Sequence, residues 1–207
     1  MKVFLAWHTS ECLQEVAKQH NIRLIVKNSG HDFVGRSSAP NSLSIWVHHM
    51  KGIKVHENMF RPTGCSNVTI EGRAITAAAG TQMLETYRAT GLLNRTVVGG
   101  NGRTVALGGF ITGGGHSILA PHYGMAADQV LELELVTPSG EIVTANECQN
   151  TDLFWAMRGV SVSLFRRHPS YEVSIKLCSK LIKTYETGRW VDLRSTHLGH
   201  DENDSQP

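Results

Sequence analysis

The chemistry-bearing residues concentrate in one short run, Asn28-Ser29-Gly30-His31-Asp32-Phe33-Val34-Gly35-Arg36-Ser37-Ser38. It follows Arg23-Leu24-Ile25-Val26, an apolar, β-branched segment that reads as a buried strand. Gly30 and Gly35 permit positive φ and close backbone approach, Ser29, Ser37 and Ser38 add hydroxyls, and Arg36 adds a planar cation. This composition suits a loop wrapped around an anionic group such as a phosphate. Taken alone, the run reads first as an ordinary Gly/Ser turn. A second side-chain-poor region, Val97-Val98-Gly99-Gly100-Asn101-Gly102-Arg103-Thr104-Val105-Ala106-Leu107-Gly108-Gly109 and then Thr112-Gly113-Gly114-Gly115-His116-Ser117, changes that balance. Two such backbones can line a long, phosphate-bearing ligand from both sides, with peptide N–H groups as the donors.

Elements of ordinary type must position these loops. Ser10 to His20 puts Cys12, Leu13, Val16 and Ala17 at helical spacing, with Asn21 as a stop. Ser42-Leu43-Ser44-Ile45-Trp46-Val47 alternates as a half-buried strand. Val68-Thr69-Ile70 and Arg73 to Ala77 flank Glu71-Gly72 and read as a tight hairpin opening a second sheet. Thr81 to Thr90 reads as a helix opened by Gly80 or Thr81 and closed by Gly91. Val130 to Val136, a Pro138-Ser139-Gly140 turn and Glu141 to Ala145 form an antiparallel hairpin, and Asn150 or Thr151 caps a helix from Asp152 to Arg158.

Composition narrows the class. A chain of 207 residues, 41% hydrophobic, can bury the core of one domain or of two small subdomains. A formal net charge of +2 with scattered basic residues leaves neither a nucleic-acid footprint nor a polybasic membrane patch, so small molecules are the expected partners. No apolar run approaches membrane-spanning length, and the N-terminal stretch is too short for a secretory signal, which places the chain as written in the cytosol. Two sequons, Asn67-Val68-Thr69 and Asn94-Arg95-Thr96, point the other way. Cys12, Cys65, Cys148 and Cys178 lack the paired spacing of a zinc site or redox dithiol and are expected to be individual thiols. His48-His49 and His122 have no partners at ligand spacing, so no metal is expected. Gly100-Asn101-Gly102-Arg103-Thr104-Val105 lacks the third glycine and the strand-to-helix setting of a nicotinamide-binding turn, and phosphate-binding Gly-Lys-Ser/Thr and Gly-x-Ser-x-Gly motifs are missing.

Four motifs in order carry a family resemblance: Ser29-Gly30-His31-Asp32-Phe33-x-Gly35-x-Ser37, Thr112 to Ser117, Tyr123-Gly124-Met125-Ala126-Ala127-Asp128-Gln129-Val130, and Asp152-Leu153-Phe154-Trp155-Ala156-Met157-Arg158-Gly159. The chain thereby resembles a PCMH-type FAD-binding domain of the vanillyl-alcohol-oxidase type, and within it the fungal relatives of berberine-bridge enzymes. The resemblance implies an α+β fold over residues 1–159: a small α/β subdomain, its opening strand expected ahead of residue 1, then a mixed or antiparallel sheet subdomain with helices.

It also implies FAD stretched between the subdomains. His31 would carry the flavin's 8α-methyl linkage, since a neutral imidazole is a competent nucleophile toward that carbon. Ser29, Gly30, Asp32, Gly35 and Ser37 would face the pyrophosphate. Gly99, Gly100, Thr104, Gly108, Gly109, Gly113, Gly114, Gly115 and His116 would line the second side, and Val143 would meet the adenine end. His116 alternatively packs against Ser117 or Tyr123. Many relatives add a cysteine link to the flavin where this chain has Gly102, so one linkage is the most expected here. The implied activity is oxidation of an alcohol, sugar or amine-type substrate, with hydride passing to the flavin and molecular oxygen reoxidising it. The catalytic base and substrate pocket come in the family largely from a further domain, so the alternative is a catalytically inactive FAD-binding fragment. Residues 160–207 read as a divergent tail from a truncated or mis-spliced gene product, with an amphipathic helix over Ser174 to Tyr185 and a disordered end.

Overall fold

The computed structural model describes residues 2–3, 17, 19–137, 141–159, 172–180 and 182–183. The first layer is a small parallel sheet of β1 (Lys2–Val3), β2 (Arg23–Lys27) and β3 (Ser42–Trp46), in the order β1-β3-β2. β2 and β3 run in register from Arg23 opposite Ser42 to Lys27 opposite Trp46. A parallel pair cannot be closed by a tight turn, so the chain must cross over between these strands, and the Gly30–Gly35 run lies in that crossover. β1 pairs with β3 at Lys2–Ser44 and Val3–Ile45. The expected helix over Ser10 to His20 lies mostly outside the described residues. Within it Ala17 is helical and buried, and Asn21 adopts φ 50, the left-handed stop.

The second layer is a five-stranded antiparallel sheet. Its first arm runs through β4 (Ile53–His56) and β5 (Met59–Phe60) and returns through β6 (Ile70–Glu71) and β7 (Ala74–Ala78). The expected hairpin between Val68–Ile70 and Arg73–Ala77 does not form. β6 pairs with β5 and β7 with β4 in one unbroken register, Phe60 opposite Ile70 and Ile53 opposite Ala77. Gly72, at φ 101, donates its N–H to Asn58 O at 2.9 Å, so Glu71-Gly72 is a kink within one arm rather than its end. A local turn signal lost to pairing with the preceding segment, whose register buries Phe60 and Ala74 together.

After β8 (Arg95–Thr96) come β9 (Val130–Val136) and β10 (Ile142–Asn146), the predicted hairpin, with Ile142 opposite Val136; its turn at residues 138–140 lies outside the described residues. β11 (Glu172–Lys180) lies between β9 and β7, giving the order β10-β9-β11-β7-β4, and β12 (Ile182–Lys183) pairs with β8. The expected helix over Ser174 to Tyr185 is therefore strand as far as it is described. Its apolar spacing also fits alternation, and two antiparallel neighbours at an otherwise open position in the sheet decide the outcome.

Helices α1 (Met83–Gly91), α2 (Leu107–Thr112), α3 (Ala120–Tyr123) and α4 (Thr151–Met157) complete the described architecture. Met83, Leu107, Ile111, Phe154 and Met157 from the helices meet Ile75, Ala77, Leu133, Leu135 and Ala145 from the sheet in one core. α1 starts one residue beyond the expected caps. Gln82 is its N-cap, and the Glu85 carboxylate takes the Gln82 N–H at 2.6 Å. The left-handed residue after it is Asn94, at φ 51, rather than Gly91.

Cys65 and Cys148, expected to be separate thiols, form a disulfide with Cα atoms 5.6 Å apart. Sequence separation concealed the pair, because the β5–β6 loop and the β10–α4 loop meet around one buried asparagine. Asn146 Nδ2 donates to Thr63 O and Glu132 Oε2, each at 2.9 Å, while its Oδ1 accepts from Cys148 N at 2.8 Å. Closing a loop of 83 residues stabilises the fold by roughly 4.5 kcal/mol in the chain-entropy estimate.

Candidate functional site: two facing ribbons

Three consecutive side-chain bridges bring the first ribbon onto the second. Asn28 Nδ2 donates to Ala79 O at 2.7 Å, Ala106 N donates to Ser29 Oγ at 3.2 Å, and His31 Nε2 meets Thr104 Oγ1 at 2.8 Å. The structure thus brings together residues far apart in sequence that were assigned to one site. His31 and Thr104 are both exposed, so their contact lies at the open side of the ribbons rather than in the core.

Within the first ribbon, Asp32 works on the loop itself. Its carboxylate accepts Arg36 Nη2 at 2.6 Å and Arg36 Nε at 3.1 Å, and also takes the Arg36 backbone N–H. These bonds hold the Asp32 carboxyl below its ordinary pKa and raise Arg36. An N-terminal Asp side chain caught by an Arg four residues on is what closes the turn around Gly35, at φ 73. The closed turn leaves the backbone N–H groups of Gly30, His31 and Asp32 without an acceptor among the described residues, a concave run of donors fit for an anion. Gly30 is at φ 87, and a Cβ on it would come within 3.1 Å of Lys27 Nζ, which brings a cation to the same side. Ser37 is half-buried beside this turn.

The second ribbon is walled from behind. A Cβ on Gly99 would meet Tyr87 Oη at 2.5 Å and Met83 Sδ at 2.6 Å, and one on Gly100 would meet Phe110 at 2.8 Å. Tyr87 Oη donates to Gly100 O at 3.0 Å, and burial pushes the phenol up to about 12. Gly108 packs against Ala79 and Asn28, while a Cβ on Gly109 would find open space. Gly114 and Gly115 adopt φ 95 and 73. His116 is exposed, and the ring paired edge-on with Tyr123 is that of His122. Val143 sits in β10, half-buried against the main core. Gly113 and Gly114 also line an open pocket of about 510 Å³ with Met125, Asp128, Trp155 and Arg158.

Sequence reading missed the clamp that sets the two layers. Gly80 N donates to Met50 O at 2.9 Å, and a Cβ on Gly80 would strike Val47 O at 2.4 Å, so only glycine fits where β7 leaves the sheet. Trp46 Nε1 donates to Asn28 O at 2.8 Å and fixes the start of the first ribbon. An asparagine and a tryptophan at the ends of paired strands were the available signals.

A glycine ribbon at the C-terminal end of a parallel strand, with backbone N–H groups that find no acceptor among the described residues and a cation beside them, faces a second glycine ribbon, an arrangement suited to a dinucleotide. The donor set and the open space at Gly35 and Gly109 fit an extended, diphosphate-bearing group. Residues 8–146 match the FAD binding domain family, and the chain belongs to it. Over 144 residues it is 51% identical to an uncharacterized FAD-linked oxidoreductase of Arthroderma benhamiae, covering 69% of this chain and 24% of that one. The chain thus spans about a quarter of that relative's length. The VAO-type flavoprotein MtVAO615 of Myceliophthora thermophila superposes with a TM-score of 0.75 at 33% identity, over 86% of this chain and 30% of that chain. The glucooligosaccharide oxidase of Acremonium strictum, whose FAD is 6-S-cysteinyl and 8α-N1-histidyl linked, shares the fold at TM-score 0.71 and 17% identity, over 88% of this chain and 35% of its own.

Proposed function

We propose that the chain is the FAD-holding part of an oxidase-type oxidoreductase and that His31 is its point of covalent attachment. The observation that carries this reading is the His31 Nε2 to Thr104 Oγ1 contact of 2.8 Å, which joins the two ribbons at their exposed edge. With Nε2 engaged by the Thr104 hydroxyl, Nδ1 is the ring nitrogen left to hold the flavin's 8α carbon. The N–H groups of Gly30, His31 and Asp32, with Ser37 and the charge of Arg36, hold the diphosphate; Gly99, Gly100, Gly108, Gly109, Gly113, Gly114, Gly115 and His116 form the opposite wall, and Val143 lies toward the adenine.

One attachment is the maximum. Gly102 offers no thiol, and any Cβ there would meet Val105 Cγ2 at 2.6 Å. Bound FAD supplies a hydride acceptor that molecular oxygen regenerates, and the substrate class is an alcohol, sugar or amine-type small molecule. A second reading is FAD binding without turnover.

The test is absorbance of purified protein after acid precipitation. Yellow colour that stays with the precipitate, and is lost in His31→Ala, supports attachment at His31; a folded, colourless protein in excess FAD contradicts it. Peroxide release with candidate alcohols then separates the oxidase from an FAD binder without turnover.

A further inference from the structure

Neither sequon takes part in the flavin site, and the structure separates them. Asn94 is a turn asparagine at φ 51, and its hydroxyl partner Thr96 is half-buried in β8. Residues Ser66 to Thr69, by contrast, are all exposed on the loop between β5 and β6. Among the described residues, neither the Asn67 amide nor the Thr69 hydroxyl has a hydrogen-bond partner. The base of the same loop is fixed by the Cys65–Cys148 disulfide and by Thr63, whose N–H donates to Glu132 Oε2 at 2.6 Å. The acceptor tripeptide is therefore held out from the fold by an anchored stem.

A disulfide of this kind persists only where thiols are not kept reduced, and in eukaryotes the compartment that forms it is also the one that glycosylates asparagine. We propose that Asn67 is an N-glycosylation acceptor in a chain that matures in that compartment. The Asn67 Nδ2 displaces the pyrophosphate from a lipid-linked oligosaccharide. A C1–N bond forms, the C1–O bond to phosphate breaks, and the amide proton leaves with the lipid pyrophosphate. The glycan would sit on the exposed stretch Ser66 to Thr69 of the β5–β6 loop.

The full chain is directed through a yeast secretory pathway and its intact mass measured before and after peptide-N-glycosidase treatment. The expected result is one glycan, released with conversion of the acceptor to aspartate at position 67. It is lost in Asn67→Gln and Thr69→Ala, retained in Thr69→Ser, and unchanged in Thr96→Ala. Thiol labelling of the same secreted chain is expected to leave Cys65 and Cys148 unmodified until reduction. Secreted, disulfide-bonded protein carrying no glycan at Asn67, or freely labelled Cys65 and Cys148 in the secreted protein, overturns the proposal. Both readouts are independent of flavin colour, so either reading can fail without the other.

Discussion

At Gly35 in the first ribbon an added Cβ would meet nothing within 4 Å, whereas at Gly115 in the second it would strike Ala126 Cβ at 2.4 Å. Both residues adopt the same left-handed φ of 73. The first ribbon uses its glycine for backbone shape alone, leaving the space above it for a ligand. The second uses glycine to let the backbone lie flat on a core built from Met83, Tyr87, Phe110 and Ala126, so its shape is fixed before anything binds. The first ribbon rests on side-chain bonds at Asn28, Ser29 and His31, and its tip exposes Phe33 completely. A rigid platform facing an adjustable clasp follows from one residue type in two packing environments.

The sharpest way to break this comparison is Gly115→Ala. A collision with the Cβ and Cα of Ala126, neither able to rotate away, adds to the cost of a positive φ, for a destabilisation of about 3 kcal/mol in urea unfolding. Gly109→Ala in the same ribbon is the control: it is helical, exposed and unobstructed, and is expected to be neutral or stabilising by up to about 1 kcal/mol. Equal losses at the two positions would mean that the second ribbon is not a packed platform.

Gly35→Ala should cost less, about 1 kcal/mol of stability, because only the backbone conformation is penalised. Its effect on FAD uptake, followed by flavin fluorescence quenching, should exceed its effect on unfolding. Thr104→Val ranks below it. An exposed hydrogen bond contributes less than about 1 kcal/mol, so the variant should unfold almost normally while its acid-stable flavin forms more slowly. If attachment proceeds at the normal rate, the hydroxyl is not what orients His31.

Much of this arrangement was legible in the sequence, and the losses have physical causes. Both ribbons, the strands β2 and β3 that flank the first and the β9–β10 hairpin could be read because glycine density and apolar alternation are local signals. The pairing of β6 with β5, the strand at Glu172–Lys180 and the Cys65–Cys148 bond could not, since each depends on which distant segment arrives as neighbour. The role of Asp32 was legible in part. A carboxylate in an anion-binding loop looks like a ligand contact until the Arg36 fork around it is seen. Asn28 and Gly80, which set the spacing between the layers, carry no sequence signature beyond residue type, because their function is to meet the carbonyls of Ala79 and Met50.

The smallest expected effect tests the layer behind the ribbons. His56 on β4 shares a 2.8 Å hydrogen bond with Thr76 Oγ1 and stands edge-on to Phe60, and burial, helped by nearby Lys54, lowers its pKa from 6.5. Burial likewise lowers His48, on the clamp that holds Gly80. A histidine whose native pKa is depressed favours the neutral ring in the fold, so the unfolded chain takes up the proton first as pH drops. Stability from these rings is complete above pH 6.5 and declines below it until the native pKa is passed. The slope is bounded by one proton per ring, about 1.4 kcal/mol per pH unit. Urea unfolding between neutral and mildly acid pH should show the decline, His56→Gln should remove one share while keeping a donor for Thr76, and His48→Gln the other. An unchanged slope in both variants would show that these rings are not its source; the depressed carboxylate of Asp32 in the first ribbon loses its contribution only at still lower pH, below the ordinary carboxylate value of 3.8.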